Sequence, residues 1–150
     1  MKVKYRGCKF SDLSPIVQEL IITRALCKYP EDVPYFIEHW DSQLLINEEH
    51  EVLALETWIV RDKYVTVAHL PGGICPIWYP LDILEITDHS LRPDWEVSYG
   101  MDAAGYLVIN RITFPEWAHN DSFLGNLIDE NDDEFVVYMR KLREYNIRSL

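Results

Sequence analysis

The chain has 150 residues, 48% of them apolar and 13% aromatic, which is enough for one domain with its own core and too much for a disordered tail. Its 25 acids against 14 bases leave a net charge of −11. That excess argues against direct binding to nucleic-acid phosphates or anionic membranes, and it speeds encounter with a basic partner.

Lys2 to Arg6 alternates bases with Val3 and Tyr5, as a half-buried strand does. Nothing in the first ten residues resembles the apolar region of a signal peptide, so a cytoplasmic protein is expected. Ser14-Pro15 is a good helix start, and Ile16, Val17, Leu20, Ile21, Arg24 and Cys27 recur at helical spacing, so a helix is expected over 15–27. Pro30 and Pro34 break the chain. The run Tyr35 to Asp41 then interleaves rings with Glu38, His39 and Asp41, and Glu48-Glu49-His50-Glu51 leads into the richest apolar stretch.

That stretch, residues 51–87, reads as three consecutive antiparallel strands and an exit into a fourth. Arg61-Asp62-Lys63 separates the first two. Leu70-Pro71-Gly72-Gly73 is a turn in which Gly72 would supply the positive φ of a type II turn. Trp95 to Tyr99 alternates Trp95, Val97 and Tyr99 with Glu96 and Ser98, a two-sided strand, and Tyr106 to Phe114 is another. Pro115 opens a short helix. Asn131 with Glu134 resembles a capping box before a helix over 132–146, whose apolar face is Phe135, Val136, Tyr138, Met139, Leu142 and Tyr145. Arg140, Lys141, Arg143 and Arg148 crowd its end, as the helix dipole favours. The expected fold is α+β in a single domain over residues 1–150: a small antiparallel sheet or half-open barrel, with an N-terminal and a C-terminal helix.

No specific catalytic motif is present: no P-loop, GxGxxG, GxSxG or HExxH. Cys8, Cys27 and Cys75 are odd in number, widely spaced and lack CxxC, which argues against a disulfide framework or a zinc site. His39 and Asp41 with His50 and its neighbouring glutamates could bind a divalent metal, but their spacing fits no standard motif, and solvated charge is the simpler reading. Isolated His69, His89 and His119 read as satisfied or surface histidines. Glu56 and Glu85, set among apolar neighbours, read as surface carboxylates; buried, they would have raised pKa values. No cofactor is expected.

The window from Asn120 to Glu134 is the most acidic, and Trp40, Trp78, Trp95, Trp117 and the nine tyrosines exceed what one small core needs. Carboxylates beside rings suit a tight interface with a basic protein. The candidate partner-binding residues are therefore Trp40, Asp41, Glu48, Glu49, Asp121, Asp129, Glu130, Asp132 and Asp133.

Trp78-Tyr79-Pro80, Leu84-Glu85 to Asp88, Trp95, Phe114 to Ala118 and the acidic helix from Asp129 to Leu142 together resemble, over about half the chain, small acidic bacterial immunity proteins of polymorphic and contact-dependent growth-inhibition toxin systems. The resemblance implies a non-enzymatic protein of the cytosol that occludes a cognate basic toxin domain, frequently a nuclease. The charge leaves a protein partner, with no nucleic acid and no membrane, and an exposed sheet edge could pair with a second copy, so a monomer or weak homodimer is expected. The resemblance carries over no catalytic set. The alternatives are an acidic regulatory or phage-related interaction module, or a small metal-dependent enzyme.

Overall fold

A computed structural model of the chain describes residues 1–25, 48–103 and 105–147. The first strand, β1 (Lys2–Tyr5), lies between β2 (Glu49–Glu51) and β6 (Leu84–Asp88) in a three-stranded antiparallel sheet. A second, five-stranded antiparallel sheet has the order β5 (Ile77–Pro80), β4 (Lys63–Leu70), β3 (Ala54–Val60), β8 (Leu107–Thr113), β7 (Glu96–Met101). Among the described residues the α-helices are α1 (Pro15–Ala25), α2 (Pro115–Ala118), α3 (Phe123–Ile128) and α4 (Asp132–Glu144). This is the expected α+β class, with two open sheets and no closed barrel. Among the described residues, no helix is long and apolar enough to cross a membrane.

Two apolar clusters are built on the five-stranded sheet. Val17, Leu20 and Ile21, one turn apart on α1, join Val3 and Tyr5 of β1 against Trp58, Val60, Val65, Val67 and Val108. Leu53 and Ala54 join Phe114 and Trp117, Phe123, Leu124 and Leu127 of α3, and Tyr138 and Leu142 of α4. The acidic window thus contains a helix, α3, that its charges conceal in the sequence; its apolar side is Phe123, Leu124 and Leu127.

Several local expectations change. The break between the first two strands is a two-residue hairpin, because Val60 pairs with Lys63 while Arg61 and Asp62 take φ of 44° and 61°. Positive φ at both central residues is the turn whose twist matches the flanking strands. Asp62 tolerates it, and exposed Arg61 is held by Glu19 at 2.6 Å. Gly72 has no positive φ. It is needed for closeness instead: a Cβ there would fall onto the Cys75 carbonyl and Ile77. Its peptide is clamped by α4, since the Tyr138 hydroxyl donates to the Gly72 carbonyl (2.7 Å) and accepts from the Gly72 N–H (3.1 Å). Burial pushes that phenol up to about 12. Tyr138→Phe leaves two buried backbone groups unpaired and should lower stability by ~1–3 kcal/mol in urea denaturation.

Lys141 also departs from its expected place among solvated bases. It is buried, with its ammonium 3.3 Å from both Glu116 and Glu144 and 3.6 Å from Asp94. The capping box is half formed. Asn131 caps α4 by accepting from the Asp133 N–H (3.0 Å), but the Glu134 carboxylate turns away to the side-chain amides of Asn126 (2.8 Å) and Asn120 (3.2 Å).

Candidate functional site: an inward ionic cluster and an outward apolar row

Strand β8 decides what lies on each face of the large sheet. Strict alternation in Leu107-Val108-Ile109-Asn110-Arg111 would put Val108 and Arg111 on opposite faces. The ladder instead carries an extra residue: Trp58 pairs with Val108 while Thr57 pairs with Asn110, and Gly100 pairs with Val108 while Ser98 pairs with Arg111. Ile109 is the inserted residue of a β-bulge. Val108, Arg111 and Thr113 consequently all point inward and are buried, while Leu107 and Ile109 are exposed.

Turned inward, Arg111 meets Glu56, its register partner on β3. Nε donates to Glu56 Oε1 at 2.6 Å, Nη1 to Asp121 Oδ1 at 2.7 Å, and Nη2 to the Met101 carbonyl at 2.9 Å. Glu56 Oε2 accepts from Trp58 Nε1 at 2.7 Å and lies 3.1 Å from His69 Nε2. The His69 ring stands edge-on to Trp117 at 4.9 Å. Glu56, far from being a surface group, is 1% exposed. Desolvation raises its pKa, but His69 and Arg111 outweigh that and bring it down to about 2, the opposite of the expected shift. Every guanidinium nitrogen has an acceptor and both Glu56 oxygens have donors, while His69 Nδ1 is buried with no partner among the described residues and Asp121 keeps about half of its side chain exposed. The cluster holds β3, β4, β8 and the segment after α2 together.

Strand β7 is the other half of the arrangement. Glu96, Ser98 and Gly100 lie on the inward parity, opposite Thr113, Arg111 and Val108. Gly100 has no side chain because the Asp121 carboxylate occupies the space a Cβ would take. The apolar parity therefore faces out, with Val97 73% and Tyr99 81% exposed. The alternation was legible, and the structure supplies its polarity: the polar row meets the ionic cluster, and the row of Val97, Tyr99 and Met101 is left on the open face with Leu107 and Ile109. Among the described residues β7 is the last strand of its sheet.

The other candidates fall into four groups. Asp129, Glu130, Asp132 and Asp133 are exposed around the start of α4, beside exposed Ile128, Phe135 and Val136. Asp121 is only half free, since it holds Arg111. Glu48 is exposed at the far sheet, and Glu49 pairs with Lys2 at 3.8 Å, so the basic first strand and this acidic run face one another. Trp40 and Asp41, with His39, lie outside the described residues. Among the described residues, no group of three or more His, Cys, Asp or Glu is arranged to hold a metal ion, and buried His50 has its pKa lowered by desolvation. The four described tryptophans are not surface rings: Trp58 and Trp117 are fully buried, and Trp78 and Trp95 are partly buried. Among the described residues the exposed aromatics are Tyr64, Tyr99 and Phe135.

No family model, no curated protein and no solved structure matches this chain.

Proposed function

We propose that this chain is a non-enzymatic binding protein that covers a basic domain of a protein partner, acting as an immunity protein that neutralises a cognate toxin, frequently a nuclease. The observation that carries the reading is the outward apolar row on β7, which the fold itself does not use. Exposed apolar rows of this kind mark interaction surfaces. A net charge of −11 supports a basic partner, and so do Asp129, Glu130, Asp132 and Asp133, which ring a second exposed apolar group at α4. The pattern resemblance to small acidic immunity proteins supplies the toxin.

Co-expression with the toxin domain encoded beside this gene is the direct test. Growth rescue and a complex that co-elutes on a sizing column are expected; neither appearing rejects the reading. Charge enters through the rate of encounter. Changing Asp129, Asp132 and Asp133 together to Lys should lower the association rate at low salt by roughly tenfold or more and flatten its salt dependence, with a smaller effect on dissociation. Stopped-flow mixing at several ionic strengths reads both quantities.

A further inference from the structure

The open side of β7 carries more than an apolar row. An edge strand offers the N–H and C=O groups of alternate residues to any chain laid beside it, and charged residues commonly guard such an edge. Here the row nearest the solvent-facing side, Val97, Tyr99 and Met101, holds no charge at all. The charge lies on the other parity and at the strand's start, where Glu96, Asp94 and Asp121 are each about half exposed. One edge therefore presents backbone groups, a ridge of apolar side chains on one face and carboxylates on the other.

We propose that β7 is a docking edge for an extended segment of a basic partner, which adds a strand to the sheet with apolar residues on one parity and Lys or Arg on the other. The apolar parity covers Tyr99 and its neighbours, and the basic parity meets Glu96, Asp94 and Asp121. This names the binding mode of the function proposed above and rests on that reading. Charge selects the occupant. Each of these carboxylates already holds a group of this chain (Glu96 with His119, Asp94 with Tyr145 and Lys141, Asp121 with Arg111), but each stays about half exposed. A second copy would add a chain of −11 to a chain of −11, whereas a cationic strand meets the excess. Backbone pairing supplies affinity and the alternating rows supply register, as in other strand-addition complexes.

The test uses the full chain and three labelled decapeptides: one alternating Lys and Val, an isomer with the same residues in two blocks, and an alternating version N-methylated at every second amide. The alternating peptide should bind at least tenfold more tightly than the other two, and its binding should slow amide hydrogen exchange over residues 96–101. Tyr99→Lys should weaken it tenfold or more without moving the thermal transition, because Tyr99 is 81% exposed. Equal binding of the three peptides, or indifference to Tyr99→Lys, overturns the proposal. So does a dimer in analytical ultracentrifugation that Tyr99→Lys dissolves, because the occupant is then a second copy. Growth rescue that survives Tyr99→Lys leaves the toxin reading standing and removes this edge from it. Peptide capture at β7 with no rescue keeps the edge and removes the toxin.

Discussion

Replacing Arg111 by methionine is expected to destabilise the fold by about 3–5 kcal/mol, because it strands the Glu56 carboxylate without its permanently charged partner in a buried site. For a chain of this size that lowers the thermal midpoint by roughly 10–15 °C. The pair is not itself a large source of stability. Changing Glu56 to Gln along with Arg111→Met should recover more than half of the loss, since an uncompensated buried charge costs more than an absent one. Acid distinguishes the cases. The folded-state pKa of Glu56 is lowered from 4.5 to about 2, so its contribution is complete above 4.5 and is lost as pH falls toward 2. The shift amounts to ~3 kcal/mol. In Arg111→Met the carboxyl accepts a proton more readily, so the penalty of the variant should shrink between pH 5 and pH 3. Urea denaturation across that range checks it; a penalty independent of pH would remove Glu56 from the explanation.

Trp117→Ala should cost about as much, ~3–5 kcal/mol, by a different route. Trp117 is fully buried, lies nearly parallel to Phe123 at 5.6 Å and meets Phe114 at 5.9 Å and His69 at 4.9 Å. Truncation removes the plug between the sheet and α3 and leaves a cavity beside His69. The loss should be nearly constant between pH 5 and pH 3, in contrast to Arg111→Met, and should appear as a lower urea midpoint with an unchanged slope. Trp78→Ala, at a partly buried position, should cost less. If it costs more, the weight of the aromatic core has been misplaced.

How much of this could be read from the chain depended on the range of the interactions. The three central strands, the Pro15 and Pro115 helix starts and the Asn131 cap follow from turn chemistry and periodicity within a few residues, and all are present. The fate of Glu56 was not legible. Its partner is 55 residues away, and Arg111 reaches it only because Ile109 is an extra residue in the ladder. Nothing in Leu107 to Thr113 announces that insertion, and plain alternation gives the wrong face. The orientation of β7 was not legible either, since a period of two shows that a strand has two sides and not which one is covered. Lys141 looked like a dipole-favoured surface base because Glu116 and Asp94, which receive it, belong to other elements. Of the acidic candidates, those around the start of α4 stayed exposed, while Asp121 and Glu49 turned out to hold bases of this chain.

The division of labour within β7 bears on how such a protein can change over generations. Residues 98 and 100 sit over the arginine and the aspartate that lock the sheet, so alterations there are felt by the whole molecule. Positions 97, 99 and 101 touch little, and substitutions at exposed sites like these usually shift stability by within about 0.5 kcal/mol. The outer face can thus be rewritten one letter at a time at these three positions while the scaffold stays intact.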